Sequence, residues 1–247
     1  MEIHHPKVEK KGLKEYLLEG LMIFLAVSLG FIAENIREHF TERSKERQYI
    51  VGFIRNLKDD TAGLRHVIVS DWQQVSGLDS MLNLAHRDMA MDSNRKSFYH
   101  FATRYLYNSA SFESNDVTLQ QLKSTGDYRL IEKDHVADSL AKYDAEIRSI
   151  SGQGAFYQAY FKEILSRLDE LTDMTVFNDS SFTKEVILMN KPLPKLRDDN
   201  GKLQTLFNKI FDFKKITQAY IEYYLALQLE SARSLIVFLR REYNVEG

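Results

Sequence analysis

Residues 50–85, IVGFIRNLKDDTAGLRHVIVSDWQQVSGLDSMLNLA, repeat apolar side chains at intervals of seven. Ile50, Leu57, Leu64, Asp71, Leu78 and Ala85 form one set and Ile54, Thr61, Ile68, Val75 and Leu82 the other; nine of the eleven are apolar. An α-helix turns once in 3.6 residues, so both sets fall along one side and make a continuous seam. The candidate seam residues are Ile50, Ile54, Leu57, Leu64, Ile68, Val75, Leu78 and Leu82. Val51, Phe53, Val67, Val69, Trp72 and Met81 widen the apolar surface beyond a two-stranded seam, which predicts packing in a multi-helix bundle. Gly52, Gly63 and Gly77 each cost about 1 kcal/mol against alanine in a helix interior, so kinks or close approaches are expected there.

Upstream lies Leu17–Ala33, LLEGLMIFLAVSLGFIA, 17 residues at the short end of what spans a bilayer. Lys7, Lys10, Lys11 and Lys14 precede the run and Arg37, Arg43, Lys45 and Arg47 follow it. A transmembrane helix over 15–36 is the preferred reading. Two others compete. A signal peptide would be cleaved at Ala26-Val27-Ser28, but helix-forming sequence continues unbroken through Glu34-Asn35-Ile36-Arg37-Glu38. A buried helix of a soluble core is disfavoured by the charged flanks. No turn signal separates Ala33 from Ile50, so the span is expected to continue directly into the seam helix and to couple the anchor rigidly to the helical domain.

Four bases on each side leave the positive-inside rule undecided. The acidic companions of the downstream bases, Glu34, Glu38, Glu42 and Glu46, tip the reading toward residues 1–14 as a cytoplasmic tail. The expected placement is single-pass in the inner membrane with the bulk of the chain periplasmic. Ala26, Gly30 and Ala33 share one helix face, and small residues at that spacing form a candidate association surface between spans. Glu19 lies in the first turn and reads as an interfacial residue.

The rest of the chain reads as helix. With 44% hydrophobic residues it can fill a core, and 3 Pro and 11 Gly in 247 residues leave long uninterrupted segments. Asp92-Ser93-Asn94 is expected to cap a helix over 96–107, and Ser114-Asn115-Asp116 one that stops at Gly126. A further helix runs over 133–150, and Gly152-Gln153-Gly154 predicts a hinge before helix resumes through Leu171. Pro192, Pro194 and the turn run Asp198–Gly201 predict a loop at about 178–201. The last helix, 202–243, again shows a seven-residue pattern and is expected to lie antiparallel to 50–85. The fold class is therefore all-α: a transmembrane helix continuing into a long helix of an extended antiparallel bundle over 37–247.

Chemistry is sparse. A net charge of -2 supplies no concentrated basic surface, which excludes nucleic acid as a partner. Zero Cys removes disulfides, thiolate metal sites and cysteine nucleophiles. The seven His form no HExxH or paired spacing, Asp198-Asp199-Asn200-Gly201 lacks the ligand alternation of a calcium loop, and neither a phosphate-binding Gly-Lys-Ser/Thr loop nor a Gly-x-Ser-x-Gly elbow occurs. No catalytic residue, cofactor or metal is expected. Asp59-Asp60 and the acidic residues over 163–170 read as solvated helix faces. The aromatic residues over 98–112 and the group Tyr220, Tyr223 and Tyr224 read chiefly as core, with a ligand pocket as the alternative.

Two stretches carry a resemblance: Glu19–Thr61, EGLMIFLAVSLGFIAENIREHFTERSKERQYIVGFIRNLKDDT, and Thr118–Asp144, TLQQLKSTGDYRLIEKDHVADSLAKYD, with its segment Leu122-Lys123-Ser124-Thr125-Gly126. Together they resemble an uncharacterised family of single-span membrane proteins of Bacteroidota. The resemblance implies an integral membrane protein of a bacterial envelope and carries no activity, substrate or catalytic residue. The expected function is non-enzymatic assembly, scaffolding or sensing, with the lipid bilayer and either a second copy or another envelope protein as partners. The alternative is a ligand-binding or enzymatic bundle with an aromatic-lined pocket.

Overall fold

The computed structural model describes residues 12–107, 110–177, 193–198 and 200–245, so most of the expected tail and loop lie outside the described residues. The chain divides into two units, Met1–Tyr49 and Ile50–Gly247. One helix, α1 (Leu13–Leu82), contributes to both, and its hydrogen-bond ladder has no break at Ala33 or Ile50.

In the first unit α1 carries an 18-residue window of mean hydropathy 2.0, none of it buried. It is long and apolar enough to cross a membrane. Phe24 and Phe31 are two-thirds exposed, and Ala26, Gly30 and Ala33 are exposed with nothing near Gly30.

The second unit is all-α among the described residues. After α1 come α2 (Asp92–Phe101) with a π-helical turn at Ala102–Leu106, α3 (Val117–Thr125), α4 (Asp134–Leu171), α5 (Lys202–Tyr220) with a second π-helical turn at Ile221–Leu225, and α6 (Ala226–Tyr243). Leu64 and Val67 cluster with Ile150, Tyr220, Leu225 and Leu229, whereas Leu78 and Met81 cluster with Ile164, Leu168, Phe207 and Ile210. Rising numbers on α1 therefore meet rising numbers on α4 and falling numbers on α5 and α6. The seam helix is antiparallel to the last helical segment, as the heptad pattern predicts. Six of the eight seam residues are buried; Ile68 and Leu82 are half-buried. Each fully buried side chain of this size contributes about 1.5–3 kcal/mol.

Several expectations are corrected. The helix after Asp92 begins four residues earlier than predicted: Asp92, Ser93 and Asn94 occupy its first turn, the N-cap position falls to Met91, and Asp92 pairs with Arg95 and Lys96. No hinge interrupts α4, which runs through Gly152-Gln153-Gly154 because Ile150, Tyr157 and Phe161 are anchored in the core on either side. At Gly154 a Cβ would lie 3.6 Å from the Tyr220 hydroxyl, an ordinary contact distance. On α1, by contrast, close approach takes the place of kinking. A Cβ on Gly77 would fall 2.1 Å from the Tyr105 ring, and one on Gly52 would fall 3.0 Å from Thr118 Oγ1.

Asp60 is not a solvated acid. It is 2% exposed and accepts hydrogen bonds from Ser114 Oγ at 2.6 Å, the Asn115 N–H at 2.7 Å and Tyr143 Oη at 2.7 Å. Asn56 Oδ1 accepts from the Thr118 N–H at 3.2 Å. Asp116 occupies the N-cap position of α3 without making a side-chain cap, so α1 supplies the acceptors that a helix start requires. Gly126, at φ 73°, ends α3 in the left-handed conformation expected of it.

Gly77→Ala is expected to destabilise the bundle by about 1–3 kcal/mol, because displacing the Tyr105 ring outweighs the gain in helix propensity. Gly152→Ala, where a Cβ meets nothing, is expected to stabilise by up to about 1 kcal/mol. Urea unfolding followed by circular dichroism measures both, and equal effects would contradict the close-approach argument. Asp60→Ala strands the Tyr143 hydroxyl and the Asn115 N–H and is expected to cost about 3 kcal/mol in the same assay.

Candidate functional site

A polar layer crosses the core where the two apolar clusters meet. Gln74, one turn past Asp71 on α1, accepts a hydrogen bond from Tyr157 Oη at 2.7 Å and donates Nε2 to the Tyr105 carbonyl at 2.9 Å. One buried amide thus joins α1, α4 and the first π-helical turn. The Tyr157 ring stacks on Tyr220 at 5.6 Å and 24°, and lies 4.9 Å from Phe213. Thr217, fully buried, donates to the Phe213 carbonyl at 2.8 Å.

Asp71 is the odd member. It is 1% exposed, and neither carboxylate oxygen has a hydrogen-bond partner. Burial disfavours the charged form and raises its pKa to about 7. The carboxylate lies within electrostatic reach of both stacked tyrosines. Burial first, and the Asp71 charge second, raise Tyr157 above the usual phenol range and Tyr220 to about 12.

Two clefts adjoin the layer. One, about 490 Å³, is lined by Ser70, Gln73, Gln74, Ser76, Arg104 and Tyr105. The other, about 590 Å³, is lined by residues including Phe112, Glu113, Ile150, Gly154, Tyr157 and Tyr220. Both volumes fall in the range of small-molecule sites. Each cleft also touches a π-helical turn: Tyr105 lies within the first, and Tyr220 immediately precedes the second. Such turns insert an extra residue into the helical ladder and recur at functional sites.

Among the described residues no three His, Asp or Glu side chains are placed to hold a metal ion. The layer's chemistry lies instead in one carboxyl group, flanked by an amide, two phenols and aromatic faces. Neutral, it can donate one hydrogen bond; ionised, it needs a cation or two donors.

Of the seam residues, Leu64 and Ile68 pack in one apolar cluster and Leu78 and Leu82 in the other, and Ile50, Ile54, Leu57 and Val75 are buried, while Ala26, Gly30 and Ala33 are exposed. Phe98 and Tyr99 are fully buried core residues, and Tyr223 is exposed. Tyr105 and Tyr220 also line the clefts, so the aromatic groups divide between packing and cleft wall. Asp71, Gln74 and Asp60 escaped the sequence reading. For Asp71 the signal was present: it is the one charged residue at a seam position.

Folded Asp71 titrates near 7 and an unfolded aspartate near 3.8, so the folded state holds its proton across that interval. The associated stability is present below about pH 4 and is lost as pH rises to about 7, amounting to roughly 4 kcal/mol. Asp71→Asn is expected to remove this decline and to be the more stable protein at about pH 8. Paired denaturant unfolding of both proteins across that range measures it, and parallel curves would contradict the assignment. No family model matches the chain, and comparisons with curated proteins and with solved structures find no match to either.

Proposed function

We propose that the chain is a membrane-anchored, non-enzymatic helical protein of the bacterial envelope that acts in assembly, scaffolding or sensing through helix–helix contacts. Its partner is a second copy or another envelope protein. In this reading it is single-pass in the inner membrane, with residues 1–14 cytoplasmic and the bulk periplasmic. The observation that carries it is the apolar window of α1, of mean hydropathy 2.0 and with none of its residues buried. Leaving that surface in water is unfavourable by about 25 cal/mol per Å², and a hydrocarbon layer removes the cost. The resemblance of Glu19–Thr61 and Thr118–Asp144 to single-span envelope proteins supports the same reading.

A second reading, a ligand-binding helical bundle, is favoured by one observation: a cleft of about 590 Å³ is lined by Phe112, Tyr157 and Tyr220. It is compatible with anchoring.

The absence of cysteine makes topology directly testable. Ser151→Cys is expected to react with a membrane-impermeant maleimide in intact spheroplasts, and Gly12→Cys only after permeabilisation. The reverse pattern overturns the orientation, and release of the protein from membranes by alkaline carbonate overturns the anchor. Deleting residues 15–36 is expected to move the chain to the soluble fraction. Crosslinking in native membranes tests the contacts, and a full-length protein that is monomeric and captures no neighbour contradicts the assembly role.

A further inference from the structure

We propose that the cleft shared by α1 and the first π-helical turn binds a small polyhydroxylated organic acid, with its carboxylate on Arg104 and its hydroxyl groups on Ser70, Gln73 and Ser76. The inference adds a ligand to the function proposed above and depends neither on the membrane anchor nor on the aromatic cleft.

Two elements wall this cleft. Ser70, Gln73, Gln74 and Ser76 come from α1, and Arg104 and Tyr105 from the turn Ala102–Leu106. Buried contacts fix one wall against the other. Gln74 Nε2 donates to the Tyr105 carbonyl at 2.9 Å, and Gln74 Oε1 accepts from Tyr157 Oη at 2.7 Å. The Tyr105 ring lies where a Cβ on Gly77 would be only 2.1 Å away. Arg104 Cζ in turn sits 5.7 Å from the centroid of that ring, and a guanidinium held over an aromatic face samples fewer arrangements. Walls already in place lower the ordering cost that a ligand must overcome.

Charge decides the ligand class. Arg104 is the one charged side chain among the described residues that line the cleft. Asp71 follows Ser70 in the chain, but it is 1% exposed and does not line the cleft. A cation would therefore meet a guanidinium and no lining carboxylate. One guanidinium matches a monoanion, and its planar fork meets both oxygens of a carboxylate in parallel. A phosphate dianion would bring a second charge that no other described lining residue neutralises.

The uncharged lining decides the rest of the molecule. Serine hydroxyls and the Gln73 amide both donate and accept hydrogen bonds, which suits hydroxyl groups that do the same. An apolar tail would cut these groups off from water without replacing their partners. The volume of about 490 Å³ exceeds what a carboxylate fills and leaves room for a chain of hydroxylated carbons. Gln73, Ser76 and Arg104 are exposed and Ser70 is half-buried, so a ligand entering from solvent meets them directly.

The test is calorimetric titration of the full chain in a polyoxyethylene detergent, which carries no sugar. The probes are D-gluconate, D-glucitol as the uncharged analogue and hexanoate as the acid without hydroxyl groups. Saturable binding of gluconate is expected, at least tenfold tighter than that of either analogue. Arg104→Gln is expected to weaken it at least tenfold, and Arg104→Lys, which keeps the charge but not the fork, severalfold. Circular dichroism is expected to stay unchanged in both, because the side chain is exposed. Ser70→Ala combined with Ser76→Ala is expected to remove most of the preference for gluconate over hexanoate. No saturable binding of gluconate overturns the proposal while the anchor and the aromatic cleft stand as before. Glucitol bound as tightly as gluconate overturns the carboxylate pairing, and hexanoate bound as tightly overturns the hydroxyl recognition. Full binding by Arg104→Gln overturns the assignment to this cleft.

Discussion

Leu64 and Val67 meet Ile150, Tyr220 and Leu229, while Leu78 and Met81, about four turns further on, meet Ile164, Leu168, Phe207 and Ile210. This double engagement of one seam sets the register of the three long helical segments. Sliding α4 or α5 by a turn would lose both contacts at once, because ridges and hollows match at both ends of the seam or at neither. The shorter elements depend on that frame. Phe98, Ala102 and Leu106 reach the core only where Leu78 and Met81 already face it, and α3 draws its N-terminal hydrogen bonds from Asn56 and Asp60.

Between the two apolar contacts the polar layer adds selectivity rather than strength. Apolar side chains accept many partners, but the Gln74 amide is satisfied only when Tyr157 Oη and the Tyr105 carbonyl arrive together. A misregistered packing would leave it unpaired at a cost of about 1–3 kcal/mol. Gly77 belongs to the same device, since the Tyr105 ring can occupy its position only where no side chain intervenes. Asp71 gains nothing comparable within the bundle. A charged-to-neutral equilibrium near neutrality, held in the centre of a helical core, stands apart from the satisfied polar groups around it.

The all-α class, the unbroken α1 and the antiparallel return of the last segment were legible because they rest on periodicity and on the scarcity of Gly and Pro, which are local properties. The glycine pair at 152–154 misled for the same reason. Its intrinsic penalty is local, whereas the packing of Ile150 and Tyr157 that overrides it is not. Asp60 shows the limit more sharply. Nothing near Asp59-Asp60 marks both carboxylates as bonded to a loop more than 50 residues away, or Asp60 alone as buried beneath it. The candidate site was half visible: Asp71 broke the apolar pattern in plain view, but the tyrosines that flank it come from two other helices.

The borrowed cap of α3 has a kinetic consequence. A nine-residue helix is too short to persist alone in water, and this one lacks an N-cap of its own. Its start is completed by side chains 55 to 62 residues earlier in the chain, so loop closure must precede helix formation. Residues 117–125 therefore acquire their structure late and surrender it early: their amide protons exchange through local separation from α1, well before the seam itself opens.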